Sequence, residues 1–182
     1  YLGGFCGGQP PKNPPTISLT AQLLYNISIL RGIERRMRML ATVKQILDSK
    51  GHEVWSVSPG DTVFDALKLM AKKNTGALLV LEEGNLIGII SERDYARKVV
   101  LEGRSSMDTP VEEIMTPRVL YVRTNQSIED CMAIMTDKHI RHLPVLEDDA
   151  LVGVISIGDV VKAMISHQEF VIEQLENYIA GR

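Results

Sequence analysis

The sequence predicts an α/β fold of the α+β kind. It consists of two copies of one β-α-β-β-α unit, related by a pseudo-twofold axis and closed into a single module. Three observations predict it. Val57–Val100 repeats without a gap as Val122–Ile165, at a constant offset of 65. Each copy passes from strand-like to helical apolar spacing in the same order. One copy of about 60 residues buries too little surface to stand alone, so the two must share a core.

The chain has three segments. Residues 1–42 carry Lys12, Arg31, Arg35, Arg36 and Arg38 against Glu34 alone, whereas the remaining residues hold 15 basic and 22 acidic side chains. Gly3, Gly4, Gly7 and Gly8 followed by Pro10, Pro11, Pro14 and Pro15 read as irregular chain. Thr16–Ala41 has a rough apolar stripe at Leu23, Leu24, Ile27 and Leu30 and is expected to be helical. It is short for a membrane span. Few acids, many hydroxyl residues and late arginines also fit an organelle-targeting leader. No chemistry is assigned to this extension.

Residues 43–107 form the first repeat and 108–182 the second. Identical pairs include Asp65/Asp130, Met70/Met135, Leu78/Leu143, Gly88/Gly153, Ser91/Ser156 and Asp94/Asp159. A shorter echo precedes each copy, Val43-Lys44-Gln45-Ile46-Leu47 against Val111-Glu112-Glu113-Ile114-Met115. Trp55–Val57 and Leu120–Val122 open the repeats as short strands. Thr62 and Ser127 supply N-cap oxygens. Val63, Ala66, Leu67 and Met70, matched by Ile128, Met132 and Met135, then give a helix. Ala77–Leu81 with Leu86–Ile90, and Leu143–Leu146 with Leu151–Ile155, read as hairpins over the turns Glu83-Gly84-Asn85 and Asp148-Asp149-Ala150. Further helices start near Ser91 and Ser156. The last stretch, Val160–Ile179, is an extended helix or helix pair whose apolar share exceeds that of a lone surface helix.

Composition excludes several classes. Apolar residues make up 45% and charged residues 24%, as in ordinary globular chains, and the net charge of −3 argues against a nucleic-acid binder. The two cysteines, Cys6 and Cys131, form neither a disulfide framework nor a Cys-rich zinc site. Cys131 aligns with Ala66 and is expected to be a buried packing residue. His52, His139, His142 and His167 show no metal-ligand spacing, and no nucleophile comes with a base. The expectation is a protein that is not an enzyme, needs no metal and does not enter a membrane.

What both repeats do share is Gly-apolar-Ile-Ser-x-x-Asp, as Gly88-Ile89-Ile90-Ser91-Glu92-Arg93-Asp94 and Gly153-Val154-Ile155-Ser156-Ile157-Gly158-Asp159. The motif lies where a buried strand opens into a helix. Two readings stand side by side. Ser and Asp cap the helix, or they bind a nucleotide: a helix start favours phosphate, a carboxylate suits the two ribose hydroxyls, and Arg93, Arg97 and Lys98 offset phosphate charge.

The duplicated order, Arg141-His142-Leu143-Pro144-Val145 and the two motifs together resemble a tandem pair of CBS domains, named after cystathionine β-synthase. The match covers roughly 41–182 and looks closest to small stand-alone CBS-pair proteins. The resemblance implies a regulatory, signal-transducing module with two clefts for adenine ligands, AMP or NAD foremost. It carries ribose contact to Asp94 and Asp159, and ribose or phosphate contact to Ser91 and Ser156. It carries cleft lining to Gly76, Ala77, Arg141 and His142, and adenine contact to Met115, Thr116 and Leu120. The first repeat has Arg93 where the second has Gly158, and Gly76-Ala77 where the second has Arg141-His142, which makes the two clefts unequal. The resemblance further implies a homodimer through the module helices and an unidentified regulated partner. A ligand-free dimerisation module and a nucleotide-acting enzyme are the alternatives. The expected compartment is the cytoplasm, or an organelle matrix if residues 1–42 are a leader.

Overall fold

The turns at Glu83-Gly84 and Asp148-Asp149 have positive φ at both central positions, 50° and 84° in the first and 47° and 62° in the second. Such turns match the twist of the strands they join. They fold the central apolar runs of each repeat into hairpins, β2 (Ala77–Glu82) with β3 (Asn85–Ser91) and β6 (His142–Glu147) with β7 (Ala150–Ser156). The computed structural model describes residues 42–180 together with Ser18, Thr20, Leu24 and Ile27. The leader-like character and most of the helix expected over 16–41 fall outside the described residues. All elements named below belong to one compact unit, Met39–Arg182.

A short parallel strand flanks each hairpin. β1 (Ser56–Val57) pairs with β2, and β5 (Val122–Arg123) pairs with β6. Pro144 sits on β6 ahead of the two residues that β5 pairs, so only β7 lies beside it. Expected Leu120 and Tyr121 stay outside the ladder. One strand has no counterpart in the sequence reading: β4 (Thr116–Pro117) adds to the outer side of β3, giving a sheet β1-β2-β3-β4 beside the three-stranded β5-β6-β7. Two residues ending in proline carry no strand signal of their own, and the pairing with Gly88 and Ile89 is what creates the strand.

The helices follow their caps. Thr62 and Ser127 accept from the N–H of Asp65 and Asp130 and start α2 (Val63–Lys73) and α4 (Ile128–Asp137). The second helices differ. In the first repeat α3 (Glu92–Tyr95) passes into a π-helical turn, Ala96–Val100. In the second, α5 (Ile157–Ile179) runs on unbroken for 23 residues. Among the described residues no helix is long and apolar enough to cross a membrane.

Each hydrophobic core is closed by an element from the other half of the sequence. Val43, Ile46 and Leu47 of α1 (Val43–Lys50) are buried with Val122, Ile128, Cys131, Leu143 and Ile155. Reciprocally, Val111 and Ile114 are buried with Val63, Ala66, Met70 and Ile90. The isolated bridges Thr42–Ser127 and Thr62–Pro110 mark the two entry points. The paired glycines make room for the exchange. A Cβ on Gly153 would lie 2.7 Å from Leu47 Cδ2, and one on Gly88 would collide with Met115 Sδ. Leu47 and Met115 are the matching residues of the echo, so one close approach occurs twice.

Candidate functional site

Each Gly-x-x-Ser-x-x-Asp motif ends a buried strand and opens a helix, and the polar residues first satisfy that local need. The Ser91 N–H and Oγ donate to Asp94 Oδ2 at 3.1 and 2.5 Å, and Asp94 N–H donates back to Ser91 Oγ at 3.3 Å. Ser156 and Asp159 form the same reciprocal cap at 2.7, 2.8 and 3.2 Å. The capping reading of the motif therefore holds in both repeats. It occupies Oδ2 of each aspartate and leaves Oδ1 outside the cap.

A lysine engages each aspartate, Lys50 from the exchanged helix α1 and Lys98 from four residues further along the same helical stretch. Lys50, the last residue of α1, lies 2.6 Å from Asp159 Oδ2. Burial alone would raise the Asp159 carboxyl, but Lys50 and the Ser156 cap outweigh it and hold the group below the usual carboxylate range. Lys98 lies 3.0 Å from Asp94 Oδ1 and donates to the Ile114 carbonyl at 2.6 Å, on the segment that enters the first core. Thr116 Oγ1 also points at Asp94 Oδ1, at 3.5 Å, the limit of a hydrogen bond, so a ligand hydroxyl can take its place.

Two cavities open beside these aspartates and share a wall made by Gly76, Ala77, Ile89 and His142. The first holds about 470 Å³ beside Asp94. Five cationic residues line it, Arg93, Arg97, Arg118, Lys138 and Arg141, and Asp94 is its one carboxylate. Arg93 donates to the His139 carbonyl at 3.0 Å, so a first-repeat side chain reaches across to the second. Lys138 pairs with its neighbour Asp137. Among the described residues Arg97, Arg118 and Arg141 form no ion pair. Apolar Val119, Leu120 and Ile140 complete the lining.

The second cavity holds about 320 Å³ beside Asp159. Lys50 is its one lysine, and Glu53 and Asp159 are its carboxylates. Trp55 stands in its wall, at the repeat position of Leu120 in the first. Burial, aided by the charge of Arg141, pulls the shared His142 below its usual range despite the opposing influence of Asp159 and Glu92. The imidazole is therefore neutral at pH 7.

The structure gathers Gly76, Ala77, Ser91, Arg93, Asp94, Arg97, Thr116, Leu120, Arg141 and His142 around the first cavity. Ser156 and Asp159 line the second, again with Gly76, Ala77 and His142. Met115 lines neither and instead packs over Gly88 against the first core. Gly158 lies in the first turn of α5 and lines neither cavity. Sequence reasoning passed over Arg118 and Lys138 in the first cavity, and Lys50, Glu53 and Trp55 in the second, and it left His139 between ligand contact and a surface role. One signal for His139 was present: it ends α4 with φ of 54°, as its repeat partner Asn74 ends α2 with 51°, a left-handed helix stop. Nothing local marks Lys50 or Arg118, which come from outside the repeated register.

Comparison with known proteins agrees with this architecture. The family described as CBS domain matches residues 43–101 and again 111–166. A curated Arabidopsis thaliana relative, the mitochondrial CBS domain-containing protein CBSX3, is 40% identical over 150 residues, covering 77% of this chain and 72% of its own. The solved structure of a putative signal-transduction protein with CBS domains from Burkholderia ambifaria is 54% identical with a TM-score of 0.68, covering 69% of this chain and 95% of that one. The CBS domain pair of protein MJ0100, solved with 5′-methylthioadenosine and S-adenosyl-L-methionine, is 25% identical with a TM-score of 0.61, covering 69% and 97%.

Proposed function

This chain belongs to the CBS-domain family as a tandem pair, and from that premise we propose that it is a regulatory module whose first cavity binds a phosphate-bearing adenine nucleotide, AMP or NAD. The observation that carries this reading is the convergence of five cationic side chains on a cavity that also holds Asp94. Arginine guanidiniums recognise phosphate oxygens through paired hydrogen bonds. Asp94 Oδ1 accepts from a ribose hydroxyl, and Leu120, Val119 and Ile140 give the base an apolar wall. The cavity volume lies within the usual range for small ligands. Adenosyl ligands in the MJ0100 pair support the same ligand class.

The walls of this cavity come from both repeats, so bound nucleotide would tie them together and alter the surface a partner protein reads. No catalytic step is assigned. Val161, Ile165, Ile172 and Ile179 line up on the outer face of α5 and are exposed. Their heptad-like spacing supports a homodimer through this helix. The mitochondrial location in the name of the Arabidopsis relative supports the organelle-matrix alternative.

The test is a thermal-unfolding panel with AMP, ADP, ATP, NAD and S-adenosylmethionine, run on the full chain and on Asp94→Ala. Nucleotide at 100 times its dissociation constant adds about 2.7 kcal/mol, which raises Tm by roughly 5–10 °C for a chain of this size. AMP or NAD should give that shift in the full chain and lose it in Asp94→Ala. A flat response to all five ligands favours the ligand-free dimer module instead.

A further inference from the structure

The two cavities share a wall yet differ in charge, and the difference has a simple origin in the repeat. Arg141 and Arg93, which line the first cavity, correspond at the offset of 65 to Gly76 and Gly158. The second cavity thus lacks both guanidiniums. Its one lysine is already committed to Asp159 Oδ2, and Glu53 faces the same space. A phosphate placed there would meet two carboxylates and no free cation. The other parts of a nucleoside site are present. Both Ser156 hydrogen bonds and the Lys50 contact fall on Asp159 Oδ2, which leaves Oδ1 to accept from ribose hydroxyls. Trp55 replaces Leu120 and gives an aromatic surface for a base. Its ring also carries Lys73 Nζ 3.5 Å from the centroid.

We propose that the second cavity binds an adenine nucleoside that carries no phosphate, so the module reads two different ligands at once, a nucleotide beside Asp94 and a nucleoside beside Asp159. This rests on the adenine-ligand reading above but assigns the opposite charge preference to the second cavity. The selectivity is a matter of exclusion: the nucleoside keeps the ribose and base contacts, while the charged lining residues that a nucleotide's phosphate would meet are Glu53, Asp159 and the paired Lys50. Because Gly76, Ala77, Ile89 and His142 line both cavities, occupancy of one is felt in the wall of the other.

Calorimetric titration of the full chain with adenosine and with AMP tests this. Adenosine should bind with one equivalent to the AMP-saturated chain, and equally to Asp94→Ala without AMP. In Asp159→Ala adenosine should weaken about tenfold or more, the loss expected for a hydrogen bond to a charged group. AMP affinity in that variant should stay within about twofold, which also shows that the variant is folded. A gain of function completes the test. A Cβ on Gly158 meets only Ser156 Oγ, at 3.6 Å, so Gly158→Arg is accommodated and should bring a second equivalent of AMP to the chain. Competition of AMP with adenosine for one site, two equivalents of AMP in the unmodified chain, or no adenosine binding to Asp94→Ala each overturns the proposal. Adenosine binding without any AMP binding would instead overturn the nucleotide reading and leave this one standing.

Discussion

The two cavities arise from one repeated plan and end with opposite character. Each sets a Ser-Asp helix cap of one repeat against the helix-to-strand turn of the other, Lys138–His142 for the first and Asn74–Ala77 for the second. In the sequence Arg93 belongs to the first repeat and Arg141 to the second, as though each copy kept one arginine. Across the axis both arginines face the same cavity, while of their glycine counterparts Gly76 lies in the wall common to both cavities and Gly158 lines neither. The difference teaches that function in a duplicated fold is set by which halves of the two copies meet. Two arginine-for-glycine differences, one in each copy, supply two of the five cations that line the first cavity and have no counterpart in the second.

The exchanged elements differ in the same manner. α1 is a regular helix with Leu47 fully buried, whereas its counterpart is a single turn, Val111–Glu113, followed by β4, with Met115 only partly buried. The largest expected effect tests this asymmetry. Leu47→Ala should cost about 2–5 kcal/mol of stability, the range for a buried leucine that leaves a cavity. Met115→Ala should cost less, because part of its surface already meets water. Chemical denaturation of both variants checks the order, and equal losses would show that the two cores depend alike on their exchanged elements.

The next effect concerns the first cavity. Arg141→Gly should weaken AMP by about 10–100-fold, equivalent to roughly 1.4–2.8 kcal/mol, and leave adenosine binding to the second cavity unchanged. Parallel titrations with the two ligands measure this directly. If both ligands weaken together, the shared wall rather than the charge governs affinity.

A smaller effect is pH dependence of stability, and it separates two groups of the second cavity. The folded protein holds His142 below its unfolded value, so the unfolded chain takes up the proton first. Stability from this group is present above about pH 6.5 and falls as the pH drops through that value. Asp159 is also lowered in the fold, and its contribution is present above about pH 3.9 and lost as pH falls toward its folded value. His142→Asn should flatten the curve just below about pH 6.5 and leave the acid limb intact. Thermal melts across pH 3–8, a span chosen to bracket both groups, would show a single unchanged curve if neither group is linked to folding.

The smallest effect is that of the two lysines. Both pairs are partly exposed, so Lys50→Met and Lys98→Met should each cost about 0.2–1 kcal/mol. Lys50→Met should in addition lower the affinity for adenosine, whereas Lys98→Met should act on AMP. A crossed pattern in the titrations would break the pairing of each lysine with its own cavity.

Much of the fold was legible in the chain. The gapless offset fixed both hairpins, the caps at Thr62, Ser127, Ser91 and Ser156, and the buried position of Cys131, whose thiol is pushed up to about 11 chiefly by burial. These features depend on periodicity and on contacts within a few residues. The Ser and Asp of each motif were legible as well, with the choice between cap and ligand group left open. Strand β4 and the fate of Met115 were not, because a two-residue strand exists only through its partner and Met115 is defined by its contact with Gly88. Lys50 and Arg118 were invisible for the same reason: they lie outside the repeated register and reach the cavities only through the closed fold.

The sequence by itself determined that the chain holds two copies of one α/β unit, where each strand turns into a helix, and which polar residues stand at those points. These are consequences of short-range spacing, which the chain carries in its order of residues. Only the tertiary structure decided that each copy lends an element to the core of the other, that Arg93 and Arg141 share a cavity, and that Lys50 meets Asp159 across 109 positions of chain. Such contacts form because neither half can bury its apolar face alone, and the geometry of that mutual burial then chooses which charges meet.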